Sequence, residues 1–163
     1  MKNIFFLILI IFSVNFSYAQ KKLPSVEVKS LDNKVVKTSE ISNDGKPIIL
    51  SFWATWCKPC IKELNAINDI YEEMQEETGV KLIAISIDDS RSSNRVAPFV
   101  NARNWEYEIL MDVNSNFKRA MNVQNIPHTF LIDKNKKIVW EHTSYTDGDE
   151  EELFDEVKKI AGK

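Results

Sequence analysis

The sequence is poor in four residue types that mark particular chemistries. It has two cysteines, two histidines, four glycines and five prolines in 163 residues. Two cysteines cannot build the multi-bridge framework of a small disulfide-rich domain. Zinc modules space their ligand pairs tightly, whereas 68 positions separate Cys60 from His128, so no metal is expected. There is no internal repeat, low-complexity tract or linker, and one domain with a single core is expected. The formal net charge is only −3 and the charges are scattered, which gives no basis for nucleic-acid binding. Even the basic run Lys134 to Lys137 reads as a solvated turn.

A long apolar run is also missing. Ile4 to Val14 is broken only by Ser13, and its roughly 11 residues fall short of the ~20 that span a bilayer. Lys2 precedes this run and Ser17-Tyr18-Ala19 follows it, so residues 1–19 read as an export signal cleaved after Ala19. The expectation is an exported, periplasmic domain over 20–163, with an uncleaved anchor as the alternative. No cysteine adjoins the cleavage site, so a lipid anchor is not expected there. Loss of Lys2 takes the formal charge from −3 to −4.

Both cysteines lie within Trp56-Cys57-Lys58-Pro59-Cys60, where an apolar strand gives way to a helix. An oxidising compartment usually leaves two cysteines as a static disulfide. Closing so short a loop, however, removes little unfolded-state entropy and makes a poor staple. Redox chemistry fits better. A helix N-terminus stabilises a nearby anion by about 0.3–1 kcal/mol, up to ~2 when partly buried. That alone lowers a thiol from about 8.5 by roughly one unit. Cys57, at the helix start, gains most and is read as the nucleophile. Cys60, one turn inside, is read as the resolving thiol.

The remaining pattern is strand–helix alternation. Val26 to Val36 alternates about Asp32-Asn33 as a hairpin, and Thr38 to Ser42 suits a short helical turn. Ile48 to Ala54 and Val80 to Ile87 read as buried strands around a helix from Pro59 to Thr78, with Gly79 as its cap. A helix from Ser92 or Ser93 to Arg103, a strand Tyr107 to Met111 and a short helix Ser115 to Met121 follow. A hairpin of Phe130–Ile132 and Ile138–Trp140 then leads to a helix Asp149 to Ala161. This order implies an α/β domain with a mixed central sheet and helices on both faces.

Two segments carry a family resemblance. Ser51-Phe52-Trp53-Ala54-Thr55-Trp56-Cys57-Lys58-Pro59-Cys60 resembles the active-site junction of the thioredoxin superfamily. Ile126-Pro127-His128-Thr129-Phe130-Leu131-Ile132-Asp133 resembles its cis-proline segment. More closely, the chain is similar to the exported TlpA/ResA-type thiol-disulfide oxidoreductases. These add an N-terminal hairpin and a helix-plus-strand insertion to a thioredoxin-like fold. The insertion falls here at Ser92 to Met111.

The resemblance implies a cis bond before Pro127. Backbone groups around Ile126 and Pro127 would pair with an extended substrate segment. Trp53 and Trp56 would flank the site, with Trp56 offering an apolar face to partners. Thioredoxins proper carry a buried aspartate six residues before the first cysteine, and that position is Ser51 here. The resemblance points instead to a carboxylate just after the next strand, Asp89 or, second, Asp88, as the group that deprotonates Cys60. His128 reads as packed or solvent-facing, and His142, at the end of a strand, is given no role.

The implied activity is dithiol–disulfide exchange with protein thiols and disulfides, without metal or organic cofactor. A monomeric reductant is expected, serving cytochrome c maturation or other exported thiol proteins and fed with electrons by a membrane partner. The rivals are a disulfide oxidase or isomerase and a thioredoxin-like binding module whose cysteines no longer cycle. A peroxidase is disfavoured, because the threonine expected three positions before a peroxidatic cysteine is Ala54.

Overall fold

In the computed structural model the described residues are 22–163, and the segment read as an export signal lies outside them. No helix among the described residues is long and apolar enough to cross a membrane. Strands β1 (Glu27–Ser30), β2 (Val35–Lys37), β3 (Ile48–Trp53), β4 (Lys81–Ser86), β5 (Glu108–Met111), β6 (His128–Ile132) and β7 (Ile138–Thr143) form one sheet. Its order is β2-β1-β5-β4-β3-β6-β7. The three inner strands β5, β4 and β3 run parallel, while both flanking hairpins pair antiparallel to them. The N-terminal hairpin therefore widens the sheet at β5 and the terminal hairpin widens it at β3.

Strand β3 is apolar at five of its six positions, Ile-Ile-Leu-Ser-Phe-Trp, and every residue in it is buried. That is the composition of a strand covered on both faces. Successive side chains alternate between the faces, and two cores result. One gathers Ile49, Trp53, Leu82, Ile109 and Leu131 beneath helices α1 (Lys58–Thr78), α2 (Val96–Asn101) and α4 (Asp149–Ala161). The other gathers Leu50, Phe52, Ile83, Ile85, Leu110 and Phe130 with Phe117 of the short helix α3 (Asn116–Ala120). Both cysteines belong to the first.

Local chemistry explains the ends of α1. Cys57 caps it, Pro59 sits in its first turn and Gly79 closes it at φ 67°. A first-turn proline forfeits no intrahelical bond, and glycine takes the left-handed conformation without a Cβ clash. Helix α4 opens on Asp149, Glu150, Glu151 and Glu152 and ends on Lys158 and Lys159, which complements the helix dipole.

Two elements differ from the expectation. The helix placed from Ser92 or Ser93 to Arg103 is divided into a 3-10 turn, Ser93–Arg95, and the six-residue α2. Pro98 explains the division: inside one continuous helix it could not donate to the carbonyl four residues back. In α2 it falls in the first turn. Strand β7 runs three residues past Trp140, because His142 and Thr143 pair with Thr129 and His128.

Candidate active site

The sheet and α1 meet at the two thiols. After β3 the chain turns, with the Cys57 amide donating to the Ala54 carbonyl, and α1 begins. Cys57 and Cys60 are joined as a disulfide with a Cα–Cα distance of 5.3 Å. The Cys57 sulfur also accepts from the Cys60 amide at 3.3 Å. It thus occupies the place of a capping oxygen, where first-turn N–H groups favour negative charge. Cys57 is 5% exposed and Cys60 is fully buried, so an incoming group meets Cys57 first. Trp56 beside it is 62% exposed.

A buried carboxylate fixes the turn. Asp88, just past β4, accepts from the Thr55 amide at 2.8 Å and the Thr55 hydroxyl at 2.6 Å. It also accepts from the Ser86 hydroxyl at 2.9 Å. These bonds to charge tie the segment before Cys57 to the neighbouring strand. Trp53, expected beside the site, is fully buried in the core and its ring meets Phe99 and Trp105 at 5.6 and 5.1 Å.

The Ile126–Pro127 bond is cis. The Pro127 carbonyl accepts from the Ser144 amide at 3.1 Å. The Ile126 N–H and C=O have no partner among the described residues. The Ile126 side chain packs against the core cluster that holds both cysteines.

The sequence pattern does not single out the next residue. Glu63 lies one turn beyond Cys60 on the inward stripe of α1, which also holds Leu64, Ile67, Tyr71 and Met74. Residues at this spacing are neighbours on a helix surface. Its carboxylate accepts from the Ser51 hydroxyl at 3.2 Å and the Thr129 hydroxyl at 2.7 Å. Burial pushes the Glu63 carboxyl up to about 7, because desolvation disfavours the charged form. The two hydroxyls work the other way, and the charge of Asp149 adds to the rise. Burial wins. Ser51 stands where thioredoxins proper carry an aspartate, and here it binds a carboxyl delivered from α1. The readable signal is an acidic residue on an otherwise apolar helical stripe.

A family model described as AhpC/TSA matches residues 19–141 of this sequence. The chain belongs to the AhpC/TSA family. This AhpC/TSA protein is similar to the thiol-disulfide oxidoreductase ResA of Bacillus thuringiensis strain Al Hakam. The two are 34% identical over 119 residues, 73% of this chain and 66% of the relative. The chain thus spans just under two thirds of that relative's length. A thioredoxin-like protein from Porphyromonas gingivalis superimposes with a TM-score of 0.77 at 49% identity, over 86% of this chain and 92% of that one. StoA from Bacillus subtilis superimposes with a TM-score of 0.65 at 22% identity, over 82% and 96%, and shows the fold alone. The fold is thioredoxin-like, with the added hairpin and insertion in the expected places.

Asp89, expected as the proton acceptor of this AhpC/TSA protein, is engaged elsewhere, and His128 is packed. Asp89 is half-exposed and takes two hydrogen bonds from the Arg91 guanidinium, at 2.9 and 2.7 Å. Those bonds hold its carboxyl below the usual range, which makes it a poor proton acceptor. It lines a shallow cleft with Trp56, Ile87 and Arg95 rather than the buried side of Cys60. His128 follows Pro127, yet its ring stacks on Phe130 at 4.2 Å, on the face away from the disulfide.

Proposed function

We propose that this protein is an exported thiol-disulfide oxidoreductase that reduces protein disulfides in the periplasm through Cys57 and Cys60. The observation that carries this reading is a disulfide capping α1, with its inner sulfur one turn from a buried carboxyl that titrates near neutrality. Similarity to relatives named thiol-disulfide oxidoreductase supports it.

In the reduced protein the Cys57 thiolate attacks one sulfur of a substrate disulfide. A Cys57–substrate mixed disulfide forms, and the other substrate sulfur leaves as a thiolate that takes a proton from solvent. Cys60 then gives its proton to Glu63, replacing Asp89 in that role. The Cys60 thiolate attacks the Cys57 sulfur, the second substrate thiolate departs, and the Cys57–Cys60 disulfide remains. Two electrons have moved to the substrate. No metal or organic cofactor enters the cycle. A membrane-bound dithiol partner restores the reduced pair.

The substrate segment docks against Trp56 and pairs in strand fashion with the unpartnered backbone of Ile126, ahead of Pro127. The reading includes a monomer and substrates among exported thiol proteins, cytochrome c maturation included. The test is the midpoint potential of the Cys57–Cys60 pair, equilibrated against thiol redox buffers. A value at or below roughly −230 mV supports a reductant, and one near about −120 mV makes the protein an oxidant instead. Failure to equilibrate at all marks a binding module.

A further inference from the structure

Glu63 rests on a polar row that crosses the sheet. Ser51 of β3 pairs with Thr129 of β6, and Thr129 pairs with His142 of β7. Directly opposed residues in antiparallel strands present their side chains on one face, with Cβ atoms about 4.5–5.5 Å apart. Ser51 and Thr129 donate to Glu63. His142 is the third member and does not reach the carboxyl through any hydrogen bond. Its Nε2 lies 3.3 Å from the Asp149 carboxylate, a close approach without an aligned hydrogen bond. Asp149 opens α4, and the Lys62–Asp147 ion pair ties the segment before α4 to α1, next to Glu63.

We propose that His142 and Asp149 are positioning residues for Glu63, an opposed charge pair at the end of the polar row that sets the pH at which Glu63 accepts the proton of Cys60. The inference rests on the role given to Glu63 above. Asp149 brings a like charge toward the buried carboxyl and holds its proton on. His142, when protonated, offsets Asp149 and loosens that proton.

The surroundings permit this. Around Glu63 stand Ser51 from β3, Thr129 from β6, Asp149 from α4 and Tyr107, whose hydroxyl is engaged by the Leu64 carbonyl at 3.2 Å. On its own helix turn Glu63 is followed by Leu64 and preceded by Lys62, which binds Asp147 at the surface, while Cys60 is held in the disulfide. His142 faces Thr129, Asp149 and the Trp140 ring stacked on it at 5.7 Å. Of the neighbouring groups, Lys62 binds Asp147, and Glu150 accepts from the Tyr145 hydroxyl. Asp149 accepts from the Thr146 amide at 2.7 Å and faces His142 with the same carboxylate.

The test is the titration of the Glu63 carboxyl by carbon-13 NMR in the oxidised protein, with Glu63→Gln to assign the signal. It needs no turnover, so it stands even if the proposed exchange reaction is wrong. Asp149→Asn, which keeps an acceptor for the Thr146 amide, is expected to lower the Glu63 midpoint by about half a unit or more. His142→Gln is expected to raise it, and Asp149→Glu to hold it near the parental value. In the exchange reaction the pH profile of mixed-disulfide release is expected to move with the midpoint. A midpoint that stays put in Asp149→Asn or His142→Gln, or moves the same way in both, overturns the proposal.

Discussion

The two faces of the sheet are made by the same strands and differ in kind. Beneath α3, strands β3 and β6 present Leu50, Phe52, Phe130 and Ile132, and Phe52 meets Phe117 and Phe130 at 5.2 and 5.9 Å. Beneath α1 and α4 the apolar lattice of Ile49, Trp53 and Leu131 is interrupted by Ser51 and Thr129 at its centre. An unpaired polar group buried there costs about 1–3 kcal/mol. The two hydroxyls avoid that cost by meeting Glu63, and Glu63 needs them for the same reason. One face supplies stability and the other tolerates a carboxyl beside a thiol. The pleat also separates the histidines. His128 adjoins Pro127 in sequence and falls on the apolar face, while His142 is remote in sequence and falls on the polar row.

This contrast can be broken from either side. Cys57→Ser has the largest expected effect: disulfide exchange falls to background, with the fold retained, as read by a generic disulfide substrate and circular dichroism. Phe130→Ala strikes the apolar face, and a loss of about 3–5 kcal/mol is expected in denaturant unfolding. Its pH profile of exchange should keep the parental shape. Thr129→Val strikes the polar row by removing a donor from Glu63, at a cost of about 1–3 kcal/mol. It should also push the Glu63 carboxyl further up, so the exchange profile moves to higher pH. Asp89→Asn has the smallest effect, with exchange rates within about twofold of the parent, since it removes one surface ion pair.

Much of this was legible in the sequence. The Cys57–Cys60 spacing, the caps of α1, the acidic start of α4 and the apolar run of β3 each follow from local chemistry. The division of the helix at Pro98 was missed, although the proline itself marks it. Other features depend on neighbours remote in the chain. Nothing local shows that β1 will pair with β5, or that Ser51, Thr129 and His142 align across three strands. Asp89 invited selection because it follows β4, but Arg91 two residues on captures it. Glu63 was visible only as an acid on an apolar stripe, a pattern whose meaning depends on what lies opposite.

Glu63 also links stability to pH, with a definite sign. Its folded value of about 7 lies above the ordinary 4.5, so between those limits the folded protein holds a proton that the unfolded chain releases. Stability therefore falls as pH rises through that window, by up to about 3 kcal/mol. Glu63→Gln should lack this fall and gain on the parent above pH 7.

The most direct measurement is the rate of mixed-disulfide release between pH 5 and 9, by stopped flow, for the parent and Glu63→Gln. The parent is expected to show a rise centred near pH 7, and the variant a slower release in which that step is absent. Superimposable profiles would contradict the account and remove Glu63 from the chemistry.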